Sequence, residues 1–317
     1  MRVLITGADG FIGKNLRLHF RQMNNVECVS LTSSHSVFEL LELLEEVDWI
    51  FHLAGINRPK SSGEFAAGNV GLTKSLCNAI KATGRSIPIV LSSSIQAELD
   101  TDYGKSKRAA EDALLTLNKA TGNPVFIYRL PNVFGKLARP NYNSVVATFC
   151  YNIARNLPIQ INDSSSVILL AYIDDVVESF ARLLVDENNK QNGFVEVSPM
   201  FSITVGELAD QLYRFKTSRD DLVTEPVGKG LVRALYSTYV SYLPPESFSY
   251  AVKQHGDERG VFAEMLKTTE SGQFSFLVIC SYDLQYLLYC SKTGQNLDSF
   301  HFLSYVQQAV KNRQASR

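Results

Sequence analysis

A short apolar run at residues 2–6 leads directly into GADGFIG, which places glycines at positions 7, 10 and 13. No other feature narrows the fold as far. Gly7 falls where a strand must turn sharply, Gly10 where a helix opens, and Gly13 where that helix packs closely against the turn. A strand–turn–helix of this kind aims backbone N–H groups and the positive end of a helix dipole at one spot, which suits a pyrophosphate. The spacing therefore predicts a dinucleotide site at the first strand-to-helix turn, built by Gly7, Gly10, Phe11, Ile12 and Gly13.

The residues that follow keep the same rhythm. Apolar runs at 2–6, 27–31, 49–53, 87–92 and 125–129 alternate with helically periodic stretches, the pattern of repeated βαβ units. The expected fold is α/β, a Rossmann-type doubly wound parallel sheet. Beyond Gly135 the rhythm loosens into a small substrate-covering region, with a helix over 142–156 and strands at 159–161 and 167–172. Asp174 and Asp175 stand where a helix N-cap accepts backbone donors, and Thr204 and Glu207 are spaced as a capping box for a further helix. The Pro244–Pro245 dipeptide marks a boundary, giving a first domain over 1–243 and a second over 244–317.

Charge and composition exclude several functions. The 317 residues carry 31 Lys and Arg against 32 Asp and Glu, so the net charge of −1 offers no field for nucleic acid. No apolar run approaches the ~20 residues that cross a bilayer, and Met1 leads into a strand without a signal-peptide pattern, so a cytoplasmic location is expected and no membrane partner. The five cysteines (28, 77, 150, 280 and 290) contain no CxxC pair, which argues for reduced thiols and against a metal site. His52 closes an apolar strand and reads as a core or cofactor-edge histidine.

Three further signals point to a nicotinamide site. The second strand runs on into Thr32-Ser33-Ser34-His35 and lacks the carboxylate that would receive a ribose 2'-hydroxyl. Ser33 can instead donate to a 2'-phosphate, so NADPH is favoured, with NAD as the alternative. Tyr103 and Lys107 are four apart in a helix-forming stretch, so phenol and ammonium share a face, where the positive charge can depress the phenol's pKa. The fourth strand feeds into Ser92-Ser93-Ser94 at the carboxyl edge of the sheet, where Ser94 can hydrogen-bond a substrate carbonyl.

With these residues in order, the chain resembles the extended short-chain dehydrogenases/reductases that act on nucleotide sugars, within the NAD-dependent epimerase/dehydratase family. The resemblance covers residues 1 to about 240. It rests on GADGFIG, on HLAG at 52–55, on Asn69-Val70, on SSS at 92–94, on YGKSK at 103–107 and on RLPNVFG at 129–135. It implies that Ser94, Tyr103 and Lys107 are catalytic. It also implies that Leu53, Ala54, Gly55, Asn69 and Leu130 join Tyr103 and Lys107 around the cofactor. The substrate residues it implies are Asn57, Arg58, Asn132, Arg139 and Asn143.

HLAGINRP, SSSIQA, RPNYNSVVATFCYNIARN and LYSTYVSYLP are similar to a narrower group of capsular polysaccharide enzymes that join such a reductase to a C-terminal zinc cupin. DERGVFAE at 257–264 resembles the entry to that cupin. After Phe276 the likeness stops: the family's His-rich metal strand is replaced by a segment holding one histidine, His301. The expected C-terminal part is thus an incomplete, cupin-like β segment without metal, as from truncation or a frame shift. The family's homodimer, formed through the barrel, depends on a part that this chain leaves incomplete.

The implied activity is NADPH-dependent reduction of C4 of a UDP-4-keto-6-deoxy-N-acetylhexosamine, on the way to UDP-N-acetyl-L-fucosamine, with the cupin's C3-epimerase activity lost. The alternatives are a nucleotide-sugar 4-epimerase or dehydratase that retains NAD, and a catalytically idle nucleotide-binding subunit.

Overall fold

The computed structural model describes residues 1–32, 37–57, 65–185, 192–258, 260–268, 272–281 and 284–291. Ser33, Arg58 and His301, singled out above, lie outside the described residues. The chain divides into two compact units, one formed by Met1–Asp210 with Ser237–Tyr242, the other by Gln211–Tyr236 with Leu243–Arg317.

The first unit is built on six parallel strands. In chain order it begins β1 (Arg2–Thr6), α1 (Phe11–Phe20), β2 (Glu27–Leu31), α2 (Val37–Glu46) and β3 (Trp49–His52). A π-helical segment, Ala66–Gly71, runs into α3 (Leu72–Thr83). Then come β4 (Ile89–Ser94), a 3-10 turn (Ile95–Glu98), α4 (Asp102–Thr121) and β5 (Val125–Leu130). The remainder comprises β6 (Asn132–Phe134), α5 (Val145–Ala154), β7 (Val167–Tyr172), α6 (Ile173–Val185), β8 (Gly193–Val195), β9 (Phe201–Thr204) and α7 (Val205–Asp221), which continues into the second unit.

The sheet order is β2-β1-β3-β4-β5-β8, so the chain reverses direction across the sheet between β1 and β3. Doubly wound folds bind ligands at that switch point, outside the carboxyl ends of the strands. Alternation along the strands gives the two faces different cores. Leu4, Ile50, Ile89, Leu91 and Ile127 pack with Leu40, Leu44, Leu76, Ile80 and Leu114 of α2, α3 and α4. The opposite face is aromatic: Phe51 lies 5.4 Å from Phe20 and 5.8 Å from Phe180, and Tyr128 meets Phe180 edge-on at 4.8 Å.

A small second sheet, β6-β7-β9, has β6 and β7 parallel and β9 antiparallel to β7. Thr204 and Glu207 form the expected capping box: the Thr204 N–H donates to Glu207 Oε2 at 2.9 Å, and the Glu207 N–H donates to Thr204 Oγ1 at 3.2 Å. Three local expectations need correction. The helix expected over 142–156 begins at Val145, because Ser144 caps it by accepting from the Ala147 N–H. Residues 159–161 form no strand; Gln160 and Ile161 are exposed, and none of the described strands pairs with them. Asp174 lies inside the first turn of α6 and takes a salt bridge from Lys136 at 2.5 Å, so its charge answers the helix dipole and a lysine rather than capping.

The second unit carries β10 (Val223–Thr224), α8 (Gly230–Ser241, whose last residues belong to the first unit), β11 (Gln254–Asp257), β12 (Gly260–Thr268), β13 (Gly272–Ser281) and β14 (Leu284–Ser291). Strands β11 to β14 form an antiparallel meander, with β10 running parallel to β12. A register shift between Glu264 and Leu266 marks a bulge in β12. Among the described residues no helix is long and apolar enough to cross a membrane.

Candidate active site

The glycine turn has the geometry its spacing predicts. Gly7 takes φ +69°, and a Cβ there would lie 2.7 Å from the backbone nitrogen of Ala54. A Cβ on Gly13 would lie 2.3 Å from the Gly7 carbonyl oxygen, so this helix can approach the turn only without a side chain. The Gly10 N–H donates to the Gly7 carbonyl at 2.9 Å, and Gly10 opens α1 with no side-chain cap. The first-turn N–H groups of α1 therefore meet no capping side chain at the edge of the cleft, where a pyrophosphate oxygen can accept from them.

α4 supplies the second half of the site. Thr101 caps it, its Oγ1 accepting from the Gly104 N–H at 3.0 Å. Gly104 is glycine because a Cβ there would sit 2.3 Å from the Gln96 carbonyl oxygen; its absence lets the first turn of α4 lie on the 3-10 turn. This contact brings Tyr103 to Ser94. The Ser94 hydroxyl accepts from the Gln96 N–H at 3.2 Å and hydrogen-bonds the Tyr103 phenol. Phe65 packs against that ring, tilted to it, with centroids 5.7 Å apart.

Lys107, one turn on, is buried. Its Nζ donates to the Ser92 carbonyl at 3.0 Å and lies 5.9 Å from the centre of the Tyr103 ring. Burial pushes its pKa down to about 8, against an upward pull from Glu111. Tyr103 departs from expectation: burial raises its pKa, and the opposing influence is the Ser94 hydrogen bond rather than the Lys107 charge. The lysine charge is directed at a backbone carbonyl, and loss of water outweighs it at the phenol.

Behind the cleft runs a buried polar relay whose donors and acceptors can all be assigned. Thr73 Oγ1 donates to the Asn69 carbonyl at 2.7 Å, so it accepts from His52 Nε2–H at 2.8 Å. His52 Nδ1 is then an acceptor and takes the Thr6 hydroxyl at 2.8 Å, while Thr6 Oγ1 accepts from the Ala54 N–H at 3.1 Å. Burial, with the nearby Lys107 charge, pushes His52 down to about 3, so it is neutral. Asn69 Oδ1 accepts from the Ile56 N–H at 2.7 Å, and its Nδ2 donates to Ser106 Oγ at 2.9 Å. Asn69 and Ala54 thus stand behind the wall, tying the loop after β3 to α4 and propping the glycine turn.

These parts open on one cleft of about 1030 Å³. Gly7, Gly10, Phe11, Ile12, Gly13, Leu53, Gly55 and Leu130 line it together with Ser94, Tyr103 and Lys107. Asn57, Asn132, Arg139 and Asn143 line it as well, and the Arg139 guanidinium lies 5.4 Å from the centre of the Tyr142 ring. Sequence reasoning missed Lys14 and Gln96, also in the lining, and Glu111 beneath it: Gln96 falls inside the SSSIQA stretch without a role, and Lys14 and Glu111 belong to no motif; Tyr142, from the polar cluster after the fifth strand, lines the cleft as well.

A glycine-cradled turn at a topological switch point, facing a Ser–Tyr–Lys constellation, defines a nicotinamide-dependent oxidoreductase of the short-chain type. The chain belongs to the NAD dependent epimerase/dehydratase family, whose model matches residues 3–197. It is 56% identical over 276 residues to UDP-2-acetamido-2,6-beta-L-arabino-hexul-4-ose reductase of Pseudomonas aeruginosa, an alignment covering 87% of this chain and 74% of that relative. Among solved structures it is similar to the capsular polysaccharide assembling protein CapF of Staphylococcus aureus, with TM-score 0.80 and 42% identity, over 88% of this chain and 76% of that one. A UDP-glucuronic acid 4-epimerase from Bacillus cereus in complex with NAD superposes with TM-score 0.65 at 18% identity, over 76% and 98% of the two chains, a likeness of fold alone.

Proposed function

We propose that this protein reduces C4 of a UDP-linked 4-keto-6-deoxy-N-acetylhexosamine with NADPH, in the cytoplasm, as a step in making a polysaccharide precursor. The observation that carries the reading is the convergence of Ser94, Tyr103 and Lys107 with the glycine turn in a single cleft. The name of the Pseudomonas aeruginosa relative, a reductase of a UDP-linked hexul-4-ose, supports the substrate class.

The residues present fit a dinucleotide. Gly7, Gly10 and Gly13 let the turn close where a Cβ would strike the backbone of Ala54 or Gly7, and the opening turn of α1 offers N–H groups to its diphosphate. A reduced nicotinamide, when bound, supplies the hydride that adds to C4. Ser94 donates to the ketone oxygen as negative charge grows on it, and the Tyr103 phenol passes its proton to that oxygen, completing the alcohol. Lys107 stands by as a fixed positive charge, steadying the phenolate left behind until water reprotonates it. The missing carboxylate after β2 favours the 2'-phosphate of NADPH over NAD. Also lining the cleft, Asn57, Asn132, Arg139 and Asn143 are the groups assigned to the sugar and its diphosphate.

Incubation with NADPH and the 4-keto product of a sugar-nucleotide dehydratase, with and without an added C3-epimerase, tests the reading. Net loss of NADPH absorbance is expected. Tyr103→Phe should lower turnover at least ~100-fold, the scale of a lost general acid, while NADPH still binds. Undiminished reduction by the variant would refute the assignment, and substrate turnover without net NADPH oxidation would mark an epimerase.

A further inference from the structure

The middle serine of the run at the end of β4 has no part in the mechanism above. Its neighbours do: the Ser92 carbonyl accepts from Lys107, and the Ser94 hydroxyl meets Tyr103. The Ser93 hydroxyl turns to α4 instead and donates to Glu111 Oε1 at 2.5 Å.

Glu111 follows Lys107 by one helical turn and Tyr103 by two, so the three residues form a ridge along α4. Its side chain is 2% exposed. Arg129 of β5 grips both carboxylate oxygens, Nε donating to Oε1 at 3.0 Å and Nη2 to Oε2 at 2.6 Å, while its Nη1 donates to Glu98 Oε1 at 2.9 Å. The guanidinium also lies over Phe194, 4.4 Å from the ring centre. Glu98, Arg129 and Glu111 together carry one net negative charge, and the Lys107 ammonium brings the group to neutrality. Joining α4 to β5 does not by itself call for a carboxylate this dry, since an apolar contact of the same size would join them without the cost of desolvation.

We propose that Glu111 is a positioning residue of the active site: it holds Ser93, and with it the serine-bearing end of β4, against α4, and it supplies the counter-charge for the Lys107 ammonium. The inference rests on the reading of Lys107 as a member of the catalytic triad. Among the described residues, the titratable groups facing Lys107 are Tyr103 on its own helix, the neutral His52 from β3, and Glu111, with Arg129 and Glu98 behind the last. Of these, Glu111 is the negative charge whose pull on the lysine opposes its burial, from one helical turn away.

The test reads the lysine itself and needs no turnover. Protein labelled with 13Cε-lysine is titrated by NMR, the Lys107 signal being identified by its loss in Lys107→Met. In the wild type the midpoint should lie near 8, as burial and Glu111 together set it. In Glu111→Gln, which keeps the size and an acceptor for Ser93, the lysine should become at least about tenfold more acidic, the scale of losing one adjacent opposite charge. Glu111→Asp should restore most of the shift. Should Glu111→Gln not fold, the double variant Glu111→Leu/Arg129→Met replaces the buried pair with apolar side chains and should acidify the lysine in the same direction but less, because the Arg129 charge leaves together with that of Glu111. If the ketone reduction is as proposed, the alkaline limb of kcat moves with the NMR midpoint. An unmoved midpoint in a folded variant would overturn the inference and leave Glu111 a structural tie. A wild type that fails to oxidise NADPH would instead refute the proposed function, with the NMR result still deciding the role of Glu111.

Discussion

The His52 relay makes a quantitative prediction about acid stability. His52 is buried and neutral, with a folded-state pKa of about 3 against the ordinary 6.5 that the unfolded chain regains. Between those values the unfolded state binds the extra proton, so stability is fully present above pH 6.5 and is lost as pH falls. Each pH unit in that window costs about 1.4 kcal/mol, which gives about 2 kcal/mol between pH 6.5 and 5 and on the order of 5 kcal/mol by pH 3. Protonating Nδ1 would break the bond from Thr6 and set a second positive charge near Lys107, which is why the folded state refuses the proton. The chain's single tryptophan, Trp49, is buried in the same strand and stacks on Phe126 at 5.7 Å, so its fluorescence follows unfolding of the unit that holds His52. Urea unfolding at pH 7, 6 and 5 should show the wild type losing about 2 kcal/mol more than His52→Gln, whatever the variant's lower starting point. Parallel pH dependences for the two proteins would show that His52 does not carry the acid sensitivity.

Two further substitutions separate stability from function. Lys107 is an ammonium buried with a depressed pKa of about 8, so below that pH it weakens the folded state, a penalty that fades as pH rises from 8 to the unfolded value of 10.5. Lys107→Met should therefore abolish ketone reduction yet stabilise the fold at pH 7 by up to about 3 kcal/mol, read from urea curves, and a less stable variant would contradict the reasoning. Gly13→Ala sets a methyl 2.3 Å from the Gly7 carbonyl oxygen, against backbone that cannot step aside. A loss of about 1–3 kcal/mol and failure to retain NADPH in a fluorescence titration are expected, and wild-type affinity would show that the turn is not the diphosphate cradle.

Much of the first unit was legible because its signals are local. Glycine spacing fixes a backbone turn within seven residues, alternation of apolar runs marks the strands, and a four-residue offset puts Tyr103 and Lys107 on one helix face whatever surrounds them. Local reading failed where a neighbour far along the chain decides. Residues 159–161 look like a strand but pair with none of the described strands, and Asp174 looks like a cap but answers Lys136, 38 positions away.

The amino-acid sequence alone thus determined the turn that can cradle a diphosphate, the doubly wound class of fold and the order of the Ser, Tyr and Lys of the candidate site, since each follows from contacts within a turn or two of the chain. The tertiary structure decided the rest: the switch point between β1 and β3, the neutral state of His52, and the approach of Ser93 and Arg129 to a carboxylate on α4. Water's exclusion sets those charges and bonds, and a residue is dried only by what the whole fold packs around it.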